Sequence, residues 1–353
     1  MSAHDDTTGI VERVTEAYAR GTALQIRGGN TREGLGCHRQ GAPLEIAGHS
    51  GIVDYEPNEL VMTVRAGTTL EEIDATLADH GQILGFEPPR YSPASTLGGT
   101  LACNFSGPAR PWLGSVRDAV LGIRLVNGRG EQLRFGGRVI KNVAGFDAAR
   151  LQAGAFGALC VITELSFKVI PKPETSITLA HERDANASIR HMNELAATPA
   201  PVSGLAWTAG QEFIRLSGNA SAVAAAARSI GGDETRDIIW QQLRDHDAAL
   251  LGPEDSRALW RCSIKSTAEA LLDDAVVIDW AGALRLVRSD ASLEQMSEAA
   301  RSAGGHVMRL SNNADGSEFL QQPTAAVRRL HERLKEAFDP GGILNRGRLY
   351  GWL

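Results

Sequence analysis

An α+β fold built in more than one unit is predicted by three observations. In the first half the order of elements is strand, glycine loop, strands, helix, strand, which lacks the strict alternation of a doubly wound sheet. After Pro171-Lys172-Pro173 the composition shifts to alanine-rich helices and scattered strands, so the proline pair marks a boundary. The 353 residues suffice for two cores.

Taken in order, residues 8–20 read as an amphipathic helix with Ile10, Val11, Val14, Ala17 and Tyr18 at helical spacing, closed by Gly21. A strand over 23–26 follows, then strands over 51–55 and 60–66 around the turn residues Glu56-Pro57-Asn58. Thr69 and Glu72 have the spacing of a capping box, with Leu70, Ile73 and Leu77 on one face of the helix and Gly81 at its end. A strand closes on the hairpin turn Asn127-Gly128, and strands over 158–163 and 165–170 precede the prolines. Arg117 beside Asp118 is read either as a structural ion pair or as a strut under a ligand. The second unit is α/β or α+β, with helices over 188–197, 221–229, 236–250 and 292–303 and strands over 204–208, 212–216, 259–265, 283–287 and 306–310. A last helix, 324–338, carries Val327, Leu330, Leu334 and Phe338 on one face, and the glycine-rich tail after it has apolar residues suited to docking.

Three glycine-rich stretches stand out. Arg27 to Gly36 holds four glycines in ten residues with Asn30 and Thr31 between them, which suits a backbone that takes positive φ and aims several N–H groups at an anion such as a diphosphate. A plain surface turn is the other reading of such a loop. The second stretch, Ser92 to Gly107, pairs Gly98 and Gly99 and offers Ser95, Thr96 and Asn104 as hydrogen-bonding side chains; two glycines inside a helix are costly, so a loop touching a planar ring is expected there. The third is Gly154 to Gly157.

Bulk properties exclude several classes. With 36 basic against 42 acidic residues and no basic block, nucleic acid is not expected as a partner. No apolar run is long enough to span a membrane, and the N-terminus lacks the pattern of a signal peptide, so a cytoplasmic protein is expected. Cys37, Cys103, Cys160 and Cys262 form no C-x-x-C pair and the nine histidines no H-x-H or H-E-x-x-H pattern, so neither a local iron–sulfur motif nor a metal site is expected. Cys103 and Cys160, in apolar or glycine-rich surroundings, read as buried free thiols.

Together these pieces resemble the vanillyl-alcohol oxidase and p-cresol methylhydroxylase (PCMH) type of FAD-binding protein, and within it the FAD-binding subunits of bacterial glycolate oxidases (glycolate dehydrogenases). The likeness rests on Ile26 to Thr31, Val64 to Thr68, Thr96 to Gly99, Ser106 to Trp112, Phe135 to Gly137, Lys141 to Asp147, Phe156-Gly157 and Phe338 to Asn345, in the family's order. It implies a PCMH-type FAD-binding domain of two α+β subdomains over 1–173, an α/β cap for substrate or partner over 174–320 and a C-terminal helix and tail over 321–353 that docks on the FAD domain. By position, Gly28, Gly29, Asn30 and Thr31 hold the diphosphate. Thr96, Gly98, Gly99, Asn104 and Gly107 lie along the ribityl chain and flavin, and Gly157 and Ile162 approach the adenosine half. Asn345 and Arg348 bring the tail back over the cofactor domain.

Asn30-Thr31 stands where related proteins carry a histidine for covalent attachment, so a non-covalent FAD is implied. Oxidising a 2-hydroxy acid needs a base and cationic groups for the carboxylate; His306, in Gly304-Gly305-His306, is the one candidate base, its other reading being a structural strand-end histidine. The family implies a subunit of a glycolate-oxidising complex that forms glyoxylate. In the first reading it is an accessory or electron-transferring subunit beside a catalytic flavoprotein and an iron–sulfur subunit, cytoplasmic and meeting the inner membrane only through the complex. The alternatives are a self-sufficient 2-hydroxy-acid dehydrogenase and a non-catalytic assembly subunit.

Overall fold

The computed structural model describes residues 4–37, 40–138, 147–252, 255–269, 275–311 and 316–353; the run Ile140 to Phe146 lies outside the described residues. Helix α1 (Thr7–Arg20) buries Ile10, Val14 and Ala17 and ends on Gly21 at φ 63. Tyr18, expected on the buried face, is 40% exposed. Strand β1 (Leu24–Arg27) pairs in parallel with β2 (Ala42–Glu45). A second sheet holds β3 (Ile52–Glu56), β4 (Val61–Arg65), β5 (Gln82–Leu84), β6 (Val120–Asn127), β7 (Gln132–Gly136) and β8 (Cys160–Pro171). Its order is β3-β4-β8-β6-β7, with β5 also on β8 and every pairing antiparallel.

Helix α2 (Leu70–Ala78) starts at Thr69, whose side chain accepts the Glu72 N–H at 3.2 Å, and buries Leu70, Ile73 and Leu77 as its spacing requires. The stretch expected to be a loop contains α3 (Leu97–Cys103), with Thr96 as its N-cap. Short helices α4 (Arg110–Leu113), α5 (Val116–Ala119) and α6 (Ala148–Leu151) complete this half. Asp118 caps α5 by accepting from the Ser115 N–H and Oγ, both at 2.8 Å. One apolar core joins α1, α2, α3 and the second sheet, and it includes Ile343 and Leu344 of the tail.

The third sheet contains β9 (Thr175–Glu182), β10 (Val202–Thr208), β11 (Gln211–Gly218), β12 (Asp233–Thr235), β13 (Ala258–Ser263), β14 (Ala275–Asp279), β15 (Leu284–Ser289) and β16 (His306–Arg309), in the order β12-β9-β11-β10-β14-β15-β13-β16. All its pairings are antiparallel, which, of the two descriptions open for this unit, is that of α+β. Helices α7 (Ala185–Ala196), α8 (Ala220–Ile230), α9 (Ile238–Asp245) and α10 (Leu293–Ser302) pack on it. Side chains alternate along β13. Leu259 packs with Trp240 and Leu243 on one face, and Trp260 and Cys262 pack with Met296 on the other.

Helix α11 (Ala325–Phe338) departs from its expected packing. Val327 is 41% and Leu330 56% exposed, and the one buried residue of the helix is Lys335. The Lys335 Nζ donates to Asp339 Oδ2 at 2.7 Å and to the carbonyls of Ala158 and Leu344. Asp339 in turn accepts the N–H groups of Ile343 and Leu344. A buried ion pair, not an apolar stripe, turns the chain into its tail. Two backbone bonds then tie the tail to β1, Leu24 N–H to the Ile343 carbonyl and Asn345 N–H to the Leu24 carbonyl.

Candidate functional site

A cleft of about 990 Å³, its open mouth included, runs between the end of β1, α3, the turn before β8 and the tail. Its floor is set by close approaches that only glycine permits. A first side-chain carbon on Gly29 would sit 1.6 Å from the Ala94 carbonyl oxygen, and one on Gly28 2.8 Å from Thr96 Oγ1. Asn30 takes φ 55, a left-handed conformation that Asn tolerates better than most residues. The tail closes the far wall: Asn345 Oδ1 accepts the Ile26 N–H at 2.7 Å and its Nδ2 donates to the Phe156 carbonyl at 2.7 Å. Gly157, at φ 71, leaves room for that amide, which a side chain would meet at 2.6 Å.

The two glycine pairs differ in what their N–H groups do. Leu97 N–H donates to the Thr68 carbonyl, Gly98 N–H to the Ala66 carbonyl at 2.8 Å, and Gly99 N–H to Thr96 Oγ1, so the first turn of α3 is already satisfied. Among the described residues, the N–H groups of Gly28, Gly29, Asn30 and Thr31 donate to no protein group. Gly28, Gly29 and Thr31 are half-buried and Asn30 is exposed, so the four adjacent donors are open to the cleft and suit an anion with several oxygens.

Cations and aromatic rings line the mouth. The Arg32 guanidinium lies 3.2 Å from the centre of the Tyr91 ring and donates to His246 Nδ1 at 3.0 Å. Burial, and after it the charges of Arg32 and Arg261, pushes His246 down to about 3, so its ring is neutral at pH 7 and can accept that bond. Burial pushes Tyr91 up to about 12 and raises the thiols of Cys103 and Cys160, which stay protonated. The Nε atoms of Arg27 and Arg32 are buried without a partner among the described residues.

The cleft brings together Gly28, Gly29, Asn30 and Thr31, then Thr96, Gly98 and Gly99, then Gly157 and Ile162, and finally Asn345 and Arg348. Three expected residues lie elsewhere. Asn104 ends α3 at φ 52 and does not line the cleft, its Oδ1 buried without a partner among the described residues. Gly107 packs beneath Arg244 and accepts the Trp280 indole N–H at 2.9 Å through its carbonyl. His306 pairs with Ser263 across β16 and β13, outside the cleft, and burial, then Arg261 and Arg110, lowers its pKa. Sequence reasoning missed Arg32, Tyr91 and Phe105 on the cleft wall. Arg32 stood inside the first glycine stretch and Phe105 inside the second, whereas Tyr91 carried no local signal.

Residues 4–136 match the family model of the FAD binding domain. Over 350 residues the chain is 42% identical to the glycolate oxidase subunit GlcE of Escherichia coli, covering 99% of each chain. It belongs to the GlcE family. Part of this GlcE-family chain, 162 residues or 45% of its length, is 33% identical to the glycolate oxidase subunit GlcD of Bacillus subtilis and covers 33% of that protein. The fold is that of alkyldihydroxyacetonephosphate synthase, with a TM-score of 0.67 at 15% identity, covering 96% of this chain and 75% of the other. FAD is the cofactor of this family's FAD-binding domain, and the cleft fits it: the unpaired donors of residues 28–31 match a diphosphate, and Gly99 leaves a wall without a side chain for a ring. No described helix is long and apolar enough to cross a membrane, and no group of three metal-ligating side chains occurs among the described residues.

Proposed function

We propose that the chain is the FAD-carrying, accessory or electron-transferring subunit of a complex that oxidises glycolate to glyoxylate. Its partners in this reading are a catalytic flavoprotein similar to GlcD and an iron–sulfur subunit, and it is cytoplasmic, meeting a membrane only through them. The observation that carries the reading is the row of unpaired N–H groups at residues 28–31 in a chain alike to GlcE over its whole length. Free cysteines at 37, 103, 160 and 262 agree with a cluster held by another subunit.

In this reading residues 1–173 form the FAD domain, 174–320 the cap, and 321–353 the segment that closes the cofactor wall. FAD, when bound, supplies a two-electron acceptor. The backbone of Gly28, Gly29, Asn30 and Thr31 binds the diphosphate; Gly98 lets α3 sit against β4 so that Gly99 faces the cofactor; Asn345 holds Ile26 and Phe156 at the spacing the cleft requires. Arg32, clamped on Tyr91 and His246, brings a fixed positive charge to the mouth. In this reading the cofactor is held without a covalent bond, which agrees with Asn30 and Thr31, and no histidine, at the first glycine loop of the cleft.

The test is an absorption spectrum of the purified chain, followed by anaerobic glycolate. Bound flavin that stays oxidised with glycolate alone and bleaches once the partner flavoprotein is added supports the reading. A chain that bleaches alone overturns the accessory role, and a chain that purifies and reconstitutes without flavin overturns the cofactor site.

A further inference from the structure

Beyond Phe105 the cleft gives way to a second group of cations. Arg261 of β13 lies 5.7 Å from the Phe105 ring centre and 4.9 Å from that of Trp280. Arg110 of α4 lies 4.6 Å from the same Trp280 ring. Two guanidinium groups sharing one ring repel each other, and such an arrangement ordinarily comes with a carboxylate between them. Here, among the described residues, neither makes an ion pair, and the one hydrogen bond of the Arg261 guanidinium goes to Ser263 Oγ. The acids that feel their charges are occupied elsewhere: Asp279, beside Arg261, accepts the Trp280 N–H at 2.7 Å, Asp118, beside Arg110, accepts from the Ser115 N–H and Oγ, and Glu87 is paired with Arg215.

The backbone is strained to build this arrangement. Trp280 and Ala281 take φ 55 and 54 in succession, left-handed conformations that cost about 1 kcal/mol or more each for residues other than glycine. They set the indole against both arginines and lock its N–H onto the Gly107 carbonyl of the other unit. Arg261 keeps some solvent contact and Arg110 is exposed, so a solute can reach them. Burial, with Arg110 behind it, lowers Arg261 to about 10, still a full cation at pH 7.

We propose that Arg261 and Arg110, held by Trp280, bind the carboxylate of a small hydroxy or keto acid on this subunit. Guanidinium forks match a carboxylate's two oxygens, and the Phe105 and Trp280 rings leave an apolar border that suits a short acid. The pairing of Arg261 with Met308 and of Ser263 with His306 puts the His306 imidazole on the same sheet face. The assignment rests on the reading that the adjoining cleft holds FAD, because that gives an acid at this place a reacting neighbour one ring away. It turns a subunit read as accessory into one that helps recognise the substrate.

The test is calorimetric titration of oxalate, which the flavin cannot oxidise, into the full chain carrying its cofactor. One site per chain is expected, weakened at least about tenfold by Arg261→Gln and by Arg110→Gln; the latter side chain is exposed, so folding is not at stake. Flavin absorbance retained in both variants separates this site from the cofactor cleft. A chain that binds oxalate but never flavin would sink the cofactor reading and leave the anion site standing. No binding by the parent chain, binding by either variant as tight as the parent's, or displacement of oxalate by an equal concentration of inorganic phosphate overturns the carboxylate assignment.

Discussion

Gly28-Gly29 and Gly98-Gly99 look alike as sequence and do different work. At the first pair the missing side chains let two loops touch, Gly29 against Ala94 and Gly28 against Thr96, and the N–H groups face the cleft unpaired. At the second the N–H groups are used within the protein, and Gly98 exists because a side chain there would meet Ala66 at 2.8 Å where α3 crosses the end of β4. Only Gly99, whose nearest neighbour would be Thr96 Oγ1 at 3.2 Å, looks onto open cleft. A paired glycine thus marks a close approach, and only its hydrogen bonds tell whether the approach is to the protein or to a ligand.

Substitutions sharpen that contrast. Gly29→Ala drives a carbon into a backbone carbonyl, which cannot rotate away; unfolding should be easier by more than about 4 kcal/mol and flavin should be absent, both read from denaturant titration with absorbance. Gly98→Val overpacks a helix against a strand and should cost about 1–3 kcal/mol, with flavin lost only as α3 shifts. Gly99→Val should leave the stability of the flavin-free chain within about 1 kcal/mol, since valine is no worse a helix former than glycine, yet weaken flavin binding at least about tenfold. Equal stability losses for the Gly98 and Gly99 variants would erase the distinction.

A pH-dependent effect belongs to the seam beyond the second stretch, where Gly107 meets Trp280. Burial first, with the charge of Glu87, pushes Asp279 up to about 7. Its folded pKa therefore exceeds the unfolded value of about 3.9, and the stability this group contributes is present below pH 4 and lost as pH rises through 7. Asp279→Asn should raise the melting temperature above pH 7 and leave it unchanged near pH 4; an equal shift at both would show that the carboxyl is not perturbed.

How much of this was legible depended on whether the signal was local. Helices α1 and α2 were readable because apolar spacing and a terminal Gly21 or Thr69 agreed. Helix α3 was hidden by its own Gly98-Gly99; the propensity cost of Gly98 is repaid by close contact with Ala66, a residue 32 positions back. On α11 the apolar spacing of Val327 and Leu330 pointed to burial, but the helix is held by Lys335 and Asp339, a polar anchor that periodicity does not register. The residues around the cleft carried glycine motifs and could be named; Tyr91 acquires meaning only when the chain brings it against Arg32, and Arg261 and Trp280 only when the third sheet is folded against the first unit.

The bond from Ile26 to Asn345 spans 319 residues. Until residue 345 has been synthesised, the first strand of the cleft lacks the partner that sets its wall, however early its glycines emerge. The cleft therefore takes its final shape well after the glycines that line it have been made, and a wall formed by so distant a partner couples the first strand to the folding of everything between them.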